Sequence, residues 1–185
     1  MITYGKAEQM TEYIIKVDEL DHELGSIEKM EAHEKGILHR AFSILVFNSK
    51  KQLLLQKRNR TKYHSPGLWS NTCCSHQRMG ETLQEAIDRR LVEEMGFHCE
   101  LKEIFHFVYQ TEFDNQLMEH EFDHVFVGHY EGEININEDE VEEIKWITLK
   151  DLQEDMRNNP QLYTFWFKIL MERPEIKDYL EIESE

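Results

Sequence analysis

With 185 residues the chain is long enough to bury one sizeable core, so a single domain spanning 1–185 suffices and a two-domain reading is not needed. Its 21 basic and 37 acidic residues give a formal charge of -16, which disfavours general binding to nucleic acid or an anionic membrane; any anionic ligand must meet a local basic cluster. Three cysteines, Cys73, Cys74 and Cys99, form no spaced C-x-x-C pair, which argues against a disulfide framework and a cysteine-only zinc ribbon.

In chain order, residues 13–17 and 40–47 are rich in β-branched and aromatic side chains and read as strands. Asn48-Ser49-Lys50-Lys51 then turns the chain into residues 52–56, and the pattern predicts a hairpin. Lys57, Arg58, Arg60 and Lys62 follow the apolar run Leu53-Leu54-Leu55 directly, as either a solvated charged turn or a loop that meets an anion. Thr82 and Glu85 fit a capping box and Gly96 supplies a stop, so a helix is expected over 83–95. Residues 105–111, 119–130 and 141–147 read as further strands, separated by the polar Asp114-Asn115 and 135–140. Thr148-Leu149-Lys150-Asp151 opens another helix, and residues 161–173 and 175–183 predict two more, joined at Pro174. The class is α/β (α+β): mixed β layers around one central helix, with a core at about 38–158, an N-terminal strand and helix extension at 10–37 and C-terminal helices at 161–183. With no charged-then-apolar leader and no apolar stretch near the roughly 18 residues of a membrane span, the expected setting is cytoplasmic, without a membrane partner.

Two features carry chemistry. Glu119 and Glu121 fall on one side of a strand about 6.6 Å apart, close enough to share a cation or to divide metal binding and acid–base work. His33 and His39, either side of a turn at Gly36, and His76, two residues after Cys74, add three imidazoles; with the two carboxylates they suit a site for Mn²⁺, Zn²⁺ or Mg²⁺. On the 83–95 helix, Arg90 and Glu94 fall within the apolar arc. An i,i+4 ion pair is the plain account, but a buried pair carries a desolvation cost that contact with a ligand or cation would offset.

Ser75-x5-Glu81-x7-Arg89-Arg90-Leu91-Val92-Glu93-Glu94-Met95-Gly96-Phe97 resembles the Nudix box, with serine at the first glycine and Arg90 in place of a glutamate that helps Nudix hydrolases gather metals. Together with Glu28-Lys29-Met30-Glu31-Ala32-His33, Leu38-His39-Arg40, the segment 66–76 and Glu119-His120-Glu121, the chain resembles the type I isopentenyl-diphosphate Δ-isomerases, a Nudix-fold family that moves a double bond without cleaving the diphosphate. The resemblance covers about residues 10–170. It implies His33, His39, His76, Glu119 and Glu121 as ligands of a tightly held divalent ion, and Glu94 as a ligand of Mg²⁺ that accompanies a prenyl diphosphate. It implies Lys29, Arg58, Lys62 and Arg90 as diphosphate contacts, which agrees with the basic run and the charged helix face. Cys74 and Glu121 match the acid and base, Tyr109 a tyrosine that assists protonation, Trp166 an aromatic facing a carbocation-like state, and Trp69 a wall of the pocket. Trp166 and Trp69 read equally well as core. Gln77 stands where the family usually has proline, which predicts a looser loop behind His76. The expected state is a monomer or weak dimer. Two other readings remain open at this stage, a hydrolase of nucleotide or other diphosphates and a silent diphosphate or metal binder.

Overall fold

The computed structural model describes residues 11–62, 64–113 and 116–182. The first residue of the expected extension, Met10, the Asp114-Asn115 turn and Glu183 at the end of the last predicted helix lie outside the described residues.

Strand β1 (Tyr13–Val17) pairs antiparallel with β2 (Glu23–Glu28), and a short helix α1 (Lys29–Lys35) follows. The Glu28 carboxylate accepts the N–H groups of Met30 and Glu31 and so starts α1. Gly36, at φ 61°, ends it in the left-handed region that an L side chain adopts only with strain. Sequence patterning gave no sign of β2, whose residues are exposed or half-buried and show no apolar alternation.

Strands β3 (His39–Phe47) and β4 (Gln52–Arg58) occupy the segments expected for a hairpin, but they splay apart. Their register contains only Phe47↔Leu53. Beyond that pair, β3 runs parallel to a later strand and β4 pairs elsewhere, because both strands are buried on both faces and each forms the middle of its own part of the sheet. The short β5 (Trp69–Ser70) pairs with β4, and β6 (Cys73–His76) pairs antiparallel with β3. Helix α2 (Leu83–Met95) has the predicted bounds, with the Thr82–Glu85 capping box formed and Gly96 closing the C-terminus. Strands β7 (Leu101–Glu112), β8 (Met118–His129) and β9 (Val141–Thr148) complete the sheet: β7 pairs with β8, β8 lies parallel to β3, and β9 lies beside β4.

The alternation of side chains sorts the core into two clusters. Phe42, Ile44, Val46, Leu54 and Phe126 face α2, whose Ala86, Ile87, Leu91 and Met95 cover them. Leu45, Phe47, Leu53, Leu55, Val125 and Val127 face the opposite way, under the C-terminal elements. These elements are α3 (Leu149–Asn158), a 3-10 turn (Pro160–Leu162), α4 (Phe165–Glu172) and α5 (Pro174–Ile182). The Leu53-Leu54-Leu55 run is therefore apolar throughout because its side chains feed both clusters, each side chain contributing about 2 kcal/mol by leaving water. The single helix predicted over 161–173 is broken: Tyr163 and Thr164 are extended and fully buried, and Trp69 bridges Tyr163 in parallel. Among the described residues no helix is long and apolar enough to cross a membrane.

Candidate metal centre and active site

On β8 the odd-numbered residues continue the face of Val125 and Val127, so Asp123, Glu121 and Glu119 extend from the apolar cluster toward the open end of the sheet. The register places His39 opposite Glu121 on one side and Tyr109 opposite it on the other. Across β3, Ala41 faces His76 and Ser43 faces Cys74, so β6 sends Cys74 and His76 to the same surface. Helix α1 adds His33. Side chains distant in sequence thus meet because four strands, β3, β6, β7 and β8, present them on one face of the sheet.

One donor atom from each of His33, His39, His76 and Glu121 lies within 4.8 Å of every other, and all four residues are buried. The ring centres are 4.9 Å apart for His33 and His39, 5.2 Å for His33 and His76, and 4.8 Å for His39 and His76. Nδ1–H of His33 donates to the Lys29 carbonyl and Nδ1–H of His39 to the Ile37 carbonyl, each at 2.7 Å. In this neutral tautomer the lone pair sits on Nε2. His76 Nε2 lies 2.9 Å from Glu121 Oε1, and His39 Nε2 lies 3.7 Å from the same oxygen. Burial, joined by the neighbouring His39, holds His33 below its usual range. Burial takes His76 down to about 3 against the opposing pull of Glu121. Neutral imidazoles converging on one carboxylate, two of them fixed by main-chain acceptors, fit a divalent metal ion.

Glu119 stands just outside this cluster. The Tyr109 hydroxyl lies 2.6 Å from Glu121 Oε2 and 3.0 Å from Glu119 Oε2. A phenol has one proton, and it is shared between these two acceptors with the shorter contact to Glu121. Burial and then the charge of Glu121 raise the Glu119 carboxyl. Glu121 is held low despite burial, because His39 and His76 favour its charged form. Burial also drives the Tyr109 phenol well up and pushes the Cys74 thiol to about 12; for Cys74, Arg58 opposes this and Glu94 and Glu121 add to it.

The cluster opens into a cavity whose lining includes Cys74, Tyr109 and Trp166 near the carboxylates and Lys29, Arg58, Lys62, Arg90 and Glu94 around the rest. Arg90 pairs with Glu94, so the i,i+4 ion pair exists, and it also borders the cavity; Gln56 donates to the other Glu94 oxygen at 2.7 Å. Nε of Arg58 and Nε of Arg90 are buried without a hydrogen-bond partner among the described residues. Lys29 pairs with Glu12 at 3.2 Å. The Trp166 indole N–H donates to Ser70 Oγ at 2.9 Å, and the Arg58 guanidinium lies 5.1 Å from its ring centre. Trp69 does not line the cavity: its half-buried ring packs against the C-terminal cluster and carries Lys145 Nζ at 4.1 Å. Gln77 tightens its loop rather than loosening it, since its amide donates to the Glu81 carbonyl at 2.6 Å and accepts from Arg40 at 2.9 Å.

Sequence reasoning missed three residues here. Ser43 donates to Asp123 Oδ2 at 2.8 Å, placing a buried carboxyl below Glu121, and burial followed by the charge of Glu121 raises Asp123. His64 lines the cavity, with its ring edge-on to Trp166 at 5.5 Å. Ser43 and Asp123 carried a readable signal, because both share strand parity with the expected ligands.

The domain model described as the NUDIX domain matches residues 37–167. Solved structures agree at the level of fold. One from Deinococcus radiodurans aligns with TM-score 0.66 at 19% identity, over 80% of this chain and 90% of that one. A MutT NUDIX hydrolase from Burkholderia pseudomallei aligns with TM-score 0.58 at 23% identity, over 74% and 98%. Fold and site thus define a NUDIX-domain protein with a histidine–carboxylate centre added to the sheet. The isopentenyl-diphosphate Delta-isomerase 2 of Photorhabdus laumondii is 52% identical over 159 residues, 86% of this chain and 90% of that protein. Its counterpart of the same name from Aromatoleum aromaticum is 51% identical over 164 residues, 89% and 87%. The chain belongs to the isopentenyl-diphosphate Delta-isomerase family.

Proposed function

We infer that the protein interconverts isopentenyl diphosphate and dimethylallyl diphosphate, an isomerase step of isoprenoid synthesis. The observation that carries this is the pairing, in one cavity, of a histidine–carboxylate metal cluster beside Cys74 with a cationic rim of Arg58, Lys62 and Arg90. The substrate names are those of the relatives at about half identity.

The reaction adds a proton to the terminal alkene carbon and removes one from the carbon on the other side of the double bond, with a tertiary carbocation-like state between. Two groups must therefore exchange protons with carbons on either side of the cationic centre of one carbon chain. We assign these roles to Cys74 and Glu121, which reach the cavity from strands flanking β3 on opposite sides. At neutral pH Cys74 is a thiol and Glu121 a carboxylate, so one can give a proton and the other take one, and the pair reverses roles in the return direction. Tyr109 bridges Glu121 to Glu119 and offers a path by which a proton reaches or leaves Glu121. The Trp166 ring presents a negative π face to the cationic intermediate and helps to exclude water.

His33, His39, His76 and Glu121 would hold a tightly bound Mn²⁺, Zn²⁺ or Mg²⁺, with Glu119 as a fifth ligand because it shares a strand face and Tyr109 with Glu121. When bound, that ion supplies positive charge that fixes Glu121 and tunes its proton affinity. Glu94 would serve Mg²⁺ brought in with the diphosphate, and Arg58, Lys62, Arg90 and Lys29 would take the phosphate oxygens. Arg90, in place of a metal-gathering glutamate, favours holding the diphosphate over cleaving it.

The test is incubation with isopentenyl diphosphate and Mg²⁺ in D₂O, followed by proton and phosphorus NMR. Deuterated dimethylallyl diphosphate with an intact diphosphate is expected. Released phosphate would replace the isomerase with a hydrolase, and two unchanged spectra would leave a binder without turnover.

A further inference from the structure

We propose that Glu140 acts as an intramolecular competitor for the diphosphate site: its carboxylate occupies the Lys62–Arg90 cation pair in the free protein, and substrate must displace it. This rests on the reading that Lys62 and Arg90 hold the diphosphate. Oε2 of Glu140 pairs with Lys62 Nζ and lies 3.0 Å from Arg90 Nη2, so one oxygen joins two cations that both line the cavity. The carboxylate thus engages two of the cations that would take phosphate oxygens, although Glu140 itself is not among the residues that line the cavity.

Its placement is set by the backbone rather than by a loose surface side chain. The Glu140 N–H donates to the Asn137 carbonyl at 2.9 Å, and its carbonyl accepts the Asn59 N–H at 3.0 Å. The Asn137 N–H in turn donates to the Glu94 carbonyl at 2.9 Å, at the end of α2. The turn before β9, the basic loop after β4 and the helix carrying Arg90 are thereby fixed to one another, with the Glu140 carboxylate at their junction. The side chain remains 25% exposed, which leaves it a path to swing into water once its partners are taken. The nearby Lys57 and Arg60 have a different acid, Glu142, at 3.1 Å and 3.0 Å, so Glu140 is not needed to balance the exposed part of the basic run.

An anion that engages only these two cations exchanges one set of ion pairs for a similar one and gains little. A diphosphate also reaches further cations in the same cavity, and its additional contacts outweigh the exchange. Glu140 therefore holds Lys62 and, together with Glu93 and Glu94, Arg90 in the free enzyme, and raises the concentration at which any anion occupies the site.

The experiment measures KM for isopentenyl diphosphate, and the dissociation constant of inorganic pyrophosphate with Mg²⁺, in wild type, Glu140→Gln, Arg90→Gln, Lys62→Gln and the Arg90→Gln/Glu140→Gln double variant. Melting temperatures confirm that each is folded. For Glu140→Gln we expect both constants to fall roughly three- to tenfold, the effect lying in KM, and sulfate to inhibit at correspondingly lower concentration. In the Arg90→Gln background that gain should shrink. Higher KM, or a raised Mg²⁺ requirement, in Glu140→Gln would show that Glu140 contacts substrate or metal instead, and unchanged constants would show that its ion pairs are not linked to binding; either overturns the proposal. If Arg90→Gln and Lys62→Gln leave both constants unmoved, the diphosphate reading itself fails, which is a separate outcome.

Discussion

The two faces of β8 carry similar residues in different electrical arrangements. On the odd face, Glu121 meets His33, His39 and His76. On the even face, His124 lies with Glu103 and His106 in a second group whose donor atoms are also close together. The distinction is what the ring nitrogens already touch. His33 and His39 each spend Nδ1 on a main-chain carbonyl, which turns Nε2 toward the shared carboxylate. His124 has Nδ1 at 2.7 Å from Glu103 and Nε2 at 3.1 Å from Asp21, and Asp21 is itself held by Arg40 at 2.7 Å. One face has ligand lone pairs gathered under burial; the other is a completed ion-pair network that ties β7, β8 and the β1–β2 turn together. Residue composition does not separate a metal centre from a salt-bridge cluster, whereas the partner of the second ring nitrogen does.

The sharpest way to break this contrast is to neutralise the odd face. Glu121→Gln and Cys74→Ala should each lower kcat by about 10³-fold or more in a steady-state assay, because each removes a group we propose to transfer a proton, while Glu103→Gln should leave kcat close to wild type. Next in size, His39→Asn should weaken binding of the tightly held metal by at least about 100-fold, measured by competition with a chelator, and dialysis against that chelator should abolish turnover until metal is restored. His124→Gln should instead lower stability by about 1–3 kcal/mol in urea unfolding, through the loss of buried contacts to two carboxylates, with activity changed by no more than about threefold. The smallest effect concerns the thiol. With Cys74 pushed up to about 12, its alkylation by iodoacetamide should rise about tenfold per pH unit and continue rising beyond pH 10, where an ordinary thiol would level off. A plateau near pH 9 would remove the buried-thiol picture of the acid.

Local signals made part of this legible in advance. Helix α2 was readable to the residue because Thr82, Glu85 and Gly96 satisfy its terminal groups through short-range contacts. The face shared by Glu119 and Glu121 followed from the two-residue period of a strand. The splayed β3 and β4 did not follow, because the turn at 48–51 is compatible with a full hairpin and only the long-range pairing with β8 and β9 pulls the strands apart. The break at Tyr163 and Thr164 escaped for the same reason: their burial against the sheet overrides the helical spacing of 161–173. Within the site, the three histidines were visible as residue types, but their convergence depends on β3 and β6 sharing a register, which no local pattern encodes. The resemblance to a family supplied that convergence. It gave no sign of Glu140, whose place between Lys62 and Arg90 arises from the turn before β9.

The most direct test of the central claim is the metal content of purified His39→Asn and His124→Asn proteins, measured by inductively coupled plasma mass spectrometry beside their isomerase activity. The account predicts about one tightly bound divalent ion per chain and near-normal turnover in wild type and His124→Asn, with both lost in His39→Asn. Metal and activity retained in His39→Asn, or lost only in His124→Asn, would contradict it and move the centre to the other face of the strand.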